Sequence, residues 1–161
     1  MRTDAVIGSS GNPPAPARTE TEVCPMNDDV IRPGTPSATG EPRLRPARPL
    51  VSAAPGTPRM KSRWIFPPER EGWPDFGLSE WSLTGASWSD HHPHSETNVV
   101  LEGELHVESG GTTVVARAGD TVTVPPGAQG RYWAPVYARM LAIYGPNPTG
   151  APTELIGYEE V

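Results

Sequence analysis

Cysteine is nearly absent. Cys24 stands alone in a chain of 161 residues, which excludes an internal disulfide framework and a cysteine-based zinc site. A reducing, cytoplasmic location fits. No run of about 18 apolar residues occurs, and the opening MRTDAVIGSSGNPP lacks an apolar stretch of signal-peptide length. Neither a membrane span nor export is expected. A positive surplus is missing too: the formal net charge is −6, and no basic stripe with interleaved aromatics appears. A phosphate backbone would be repelled, so no nucleic-acid partner is expected. No nucleophile stands beside a base and no glycine-rich phosphate loop occurs, which disfavours triad hydrolases and nucleotide enzymes.

Proline is plentiful but uneven, with 11 of 21 falling before residue 60. That stretch holds Gly8-Ser9-Ser10-Gly11-Asn12-Pro13-Pro14 and Gly34-Thr35-Pro36-Ser37-Ala38-Thr39-Gly40, with isolated hydrophobes and no period. It cannot bury enough apolar surface to offset the entropy of ordering, so residues 1–60 are expected to be a disordered tail and residues 61–161 the folded domain. Charge divides the same way. The tail carries seven Arg against six acids, and the remainder six Lys or Arg against thirteen acids.

After Lys61 come Trp64, Ile65, Phe66, Trp73 and Phe76 among prolines, which predicts an irregular aromatic arm packed against the folded domain. Short strands are expected over residues 78–84, 85–89 and 98–107. Gly110-Gly111 predicts a hairpin between residues 104–108 and 112–116. Residues 121–124, 130–134 and 137–144 complete the set. Closely spaced strands punctuated by Gly and Pro, with no helical period, indicate an all-β sandwich or barrel.

Two segments carry a resemblance. HPHSETNVVLEG, His92 to Gly103, resembles the first cupin motif, with Glu96 followed by six residues and then glycine. GDTVTVPPG, Gly119 to Gly127, resembles the second, a glycine, five residues, proline, one residue and glycine. The longer pattern VVLEGELHV, AGDTVTVPPGAQGRYW and ARMLAIYGPNP is similar to small cupins of the ethanolamine-utilisation and ureidoglycolate type. The resemblance implies a cupin jelly-roll β-barrel. Gly103, Gly119 and Gly127 are then turn or bulge positions rather than catalytic ones.

The resemblance also implies a divalent metal held by three histidines and a glutamate. Glu96 takes the glutamate position, His92 the second histidine and Asp90 the place of the first, while Gly130 stands where the last histidine would be. Asp90, His92 and Glu96 form a mixed carboxylate and imidazole set acceptable to Zn, Fe(II) or Mn. His94 or His91 completes a two-histidine set if either swings inward. In extended chain, residues 90, 92, 94 and 96 share a face and His91 points away. The bland alternative is a solvated HHPH loop. Glu96 is metal ligand, acid or base, or an anchor to the barrel backbone.

Asn98 and Val100 share Glu96's parity, and Asn98 is placed to orient a ligand. Gln129 and Tyr132 flank the vacated histidine position. A buried Tyr132 hydroxyl would be a proton donor or substrate anchor, and the alternative for Tyr132, as for Trp81, Trp88 and Trp133, is core packing. Arg139 either projects to solvent or pairs with a carboxylate, and a pocket arginine would imply an acidic substrate. Two functions compete: a metal-dependent enzyme acting on a low-molecular-weight metabolite, with Glu96 and Tyr132 catalytic, and a non-catalytic small-molecule-binding cupin. A homodimer is expected, because open barrels leave strand edges that need cover.

Overall fold

The computed structural model describes residue 42 and residues 44–161. Most of the segment expected to be a tail, residues 1–41 and 43, lies outside the described residues. The described residues form strands joined by turns and irregular segments: β1 Val51–Ser52, β2 Met60–Phe66, β3 Gly77–Leu83, β4 Ala86–His91, β5 Glu96–Ser109, β6 Thr112–Arg117, β7 Thr121–Val124, β8 Gln129–Ala134, β9 Ala138–Tyr144 and β10 Glu154–Glu160. The all-β expectation stands. The strands run in the order β1-β2-β3-β9-β5-β8-β4-β10, with β6 and β7 also paired to β5.

β5 organises the barrel. Its first half, from Glu96, pairs with β9 and β7, and its second half, from Glu104, pairs with β6 and β8. Two antiparallel sheets thus share one strand, and the change of sheet falls at Gly103. There φ is +75°, and a side chain would run into the carbonyl of Tyr137, whose oxygen accepts a hydrogen bond from the Glu104 N–H at 3.1 Å. Only glycine meets both demands. Inward-facing side chains alternate along the strands: Trp81 and Leu83 on β3, Val100, Leu105 and Val107 on β5, Tyr132 and Ala134 on β8, Ala138, Met140 and Ala142 on β9. Trp81 and Tyr132 meet edge to face, their ring centroids 5.7 Å apart.

Packing begins earlier in the chain than composition suggested. Val51 and Ser52 pair with Ser62 and Lys61, Ala53 and Thr57 are buried, and the Thr57 hydroxyl donates to the Ala54 carbonyl at 2.8 Å. Trp64 to Phe66 do not form an irregular arm but end β2 beside β3, with a register shift between Trp64 and Phe66. The prolines that argued against a strand begin only at Pro67, where β2 stops. β10, paired to β4, was not anticipated, since Gly157 interrupts its pattern and leaves a register shift.

Candidate metal centre

The first-motif residues meet inside the barrel. Asp90 lies on β4 with its side chain inward, His92 just beyond that strand, and Glu96 opens β5; all three are buried. Two backbone bonds fix the loop between them. The Gly127 N–H donates to the His92 carbonyl at 2.8 Å, and the Gly145 N–H to the Ser95 carbonyl at 2.9 Å. The second glycine motif thus holds the first.

One ligand atom from each of Asp90, His92 and Glu96 lies within 4.8 Å of the others. His92 Nε2 is 3.1 Å from Asp90 Oδ2 and 2.7 Å from Glu96 Oε2. Nε2 thus faces both carboxylates, while Asp90 Oδ1 has no hydrogen-bond partner. Nearly every other polar atom around them is engaged. Trp88 Nε1–H donates to Asp90 Oδ2 at 2.7 Å, Asn98 Nδ2–H to Glu96 Oε1 at 2.9 Å and the Tyr132 hydroxyl to Glu96 Oε2 at 3.1 Å. Behind Asn98, Trp81 Nε1–H donates to its Oδ1 at 2.8 Å. His92 Nδ1 meets Thr153 Oγ1 at 2.9 Å, the kind of outer partner that fixes the ring of a ligating histidine.

Electrostatics follow from burial and adjacency. Burial pulls the His92 imidazole down, but Asp90 and Glu96 outweigh it and raise it to about 10. Burial alone would raise Glu96; His92, then Asn98 and Tyr132, hold it below its ordinary value. Asp90 is raised, chiefly by burial, with repulsion from Glu96 opposing the pull of His92. Burial, then the charges of Glu96 and Asp90, push the Tyr132 phenol far up, so it stays protonated. His94 is lowered, mainly by burial.

The other candidates are not part of this three-residue group. His94 is buried, but its Nδ1–H donates to the Ser95 carbonyl at 3.1 Å, and its ring packs on His92, Trp73 and Tyr144. His91 turns away, as its parity required, with Nε2 3.1 Å from the Gly127 carbonyl. Gln129 is exposed. Arg139 lies outside the barrel and pairs with Glu80 and Glu102, so the pocket-arginine alternative is set aside. Trp81 and Trp88 do more than pack, because their indole N–H groups are spent on the site. Thr153 gave no sequence signal, lying some sixty residues from His92 with no motif around it.

The two-sheet barrel with a histidine and carboxylate cluster inside it has the cupin fold. Residues 82–144 match the family described as Cupin domain, and the chain resembles the ethanolamine-utilisation cupins. Over 70 residues it is 34% identical to acetate kinase EutQ of Salmonella typhimurium, covering 44% of this chain and 30% of that protein. Over 52 residues it is 38% identical to the Escherichia coli protein of the same name, covering 32% and 22%. The chain therefore spans less than a third of the length of these curated relatives. Among solved structures, salicylate 1,2-dioxygenase from Pseudoaminobacter salicylatoxidans shares the fold, with a TM-score of 0.54 at 16% identity over 65% of this chain and 31% of that one.

Proposed function

We propose that the barrel holds one divalent cation, Zn, Fe or Mn, through Asp90, His92 and Glu96, and acts there as a metal-dependent enzyme on a low-molecular-weight metabolite. The observation that carries this is the convergence of one ligand atom from each of Asp90, His92 and Glu96 within 4.8 Å in a buried cluster, with Asp90 Oδ1 left without a partner. Buried polar atoms without partners are costly, and two buried carboxylates beside one imidazole leave excess negative charge that a cation would offset. Bound there, a cation would polarise a substrate oxygen or acidify a water. The chain supplies the rest. The Tyr132 hydroxyl is a protonated donor beside the cluster, and Glu96 is an ionised acceptor fixed by two hydrogen bonds.

One observation favours the alternative of a non-catalytic binding cupin with a reduced metal site. Gly130 offers no ligand, and the Tyr132 ring lies where a side chain at that position would go. The kinase activity in the curated relatives' name is not carried over, since the chain spans less than a third of their length. No helix among them is long and apolar enough to cross a membrane, and we place the protein in the cytoplasm. The homodimer remains part of the proposal: edge strands β1 and β10 carry the exposed Val51, Leu155 and Ile156, and monomer alone in light scattering at micromolar concentration would refute it.

Elemental analysis of untagged full chain tests the metal reading. Stoichiometric metal, lost in His92→Ala and Glu96→Ala and kept in His91→Ala, supports it. Metal-free protein from metal-replete growth, or variants that keep full metal content, overturn it.

A further inference from the structure

Position 130 lies directly across from Asp90 in the pairing of β4 with β8. It has no side chain, and the space is taken. A Cβ built on Gly130 would stand 2.5 Å from the Tyr132 hydroxyl oxygen and 2.7 Å from two ring carbons. Tyr132 thus folds back along its own strand, over the glycine, and is almost wholly buried. From there its hydroxyl donates to Glu96 Oε2 at 3.1 Å, the same oxygen that lies 2.7 Å from His92 Nε2.

Glu96 is therefore constrained on both oxygens. Oε1 accepts from Asn98, and Oε2 accepts from Tyr132 with one of its lone pairs, leaving the other for the side facing His92 and Asp90. Oε2 is the oxygen turned toward His92. A free glutamate would rotate about its last torsion, which is broad and soft. We infer that Tyr132 is a positioning residue for a cation at this centre, fixing Glu96 as a one-oxygen ligand, and that Gly130 is there to let the ring reach it. Gly130 and Tyr132 act as one unit. This rests on the metal reading and adds a specific dependence to it.

The test uses full-length chain stripped of metal and titrated with Co(II), followed by its visible absorption and by calorimetry. Tyr132→Phe keeps the ring and removes the donor, so cobalt affinity should fall about ten- to a hundredfold, the usual cost of losing an outer partner of a ligand. The visible bands should also shift, while far-ultraviolet circular dichroism stays unchanged. Gly130→Ala forces the ring off Glu96 and should weaken binding as well. Because both changes break the same bond, the double variant should lose no more than Gly130→Ala alone. Should Gly130→Ala fail to fold, Tyr132→Phe decides by affinity and spectrum. Wild-type affinity with an unshifted spectrum in Tyr132→Phe overturns this inference and leaves the metal reading standing. Wild type that takes up no cobalt overturns both.

Discussion

A cation entering this cluster must displace a proton. The metal-free imidazole of His92 is raised to about 10, so at neutral pH it carries a proton on the nitrogen that faces Asp90 and Glu96, and a ligating histidine must be neutral. Competition of this kind costs about a thousandfold of intrinsic affinity at pH 7, and the cost shrinks about tenfold for each pH unit gained. Between about pH 6 and pH 8 the apparent affinity should therefore rise at least about a hundredfold. A histidine with its ordinary value would give only about a fourfold rise over the same range. Calorimetric titration with Mn(II) in buffers of different ionisation enthalpy counts the protons directly: about one released per cation near pH 7, against about a quarter for an unperturbed imidazole. A fourfold rise with a quarter of a proton would refute the argument, showing that the carboxylates do not act on His92 as their distances require.

Two further outcomes test the fold. A chain begun at Met60 loses the β1 pairing and buried Ala53, so its stability should drop by about 1–2 kcal/mol, a few degrees in Tm; an unchanged melting curve would show that residues 51–59 only rest on the barrel. Gly103→Ala should cost about 2–4 kcal/mol in urea unfolding, since a side chain at positive φ is strained and here also meets the Tyr137 carbonyl, and a loss under about 1 kcal/mol would mean that β5 can change sheets elsewhere.

Legibility in the sequence followed the range of the interactions. Gly103, Gly119 and Gly127 announce their turns because the demand for positive φ is local, and all three have it. The alternation of Glu96, Asn98 and Val100 is likewise local, and it placed all three inside. β2 was harder: proline at 67 acts on its neighbours by sequence distance, yet Trp64 is decided by a partner strand that begins at Gly77. β10 lies further out of reach, because a strand with exposed Leu155 and Ile156 has no buried face to write an alternating pattern.

The site divides along the same line, and the division explains why the reading of position 130 was incomplete. Seen in sequence, Gly130 is a missing ligand, since glycine offers no donor. Seen in three dimensions, the same glycine is the condition for Tyr132 to lie across it and reach Glu96. The two residues are only two apart, so the information was present, but its meaning depends on β8 lying against β4 with Gly130 opposite Asp90. A side chain at 130 would exclude the tyrosine ring by contact alone. A histidine there and a tyrosine donor at 132 are thus alternatives competing for one volume. If the cluster holds a cation as proposed, what distinguishes this barrel from a four-ligand centre is a substitution of function, with a ligand exchanged for a hydrogen bond to Glu96.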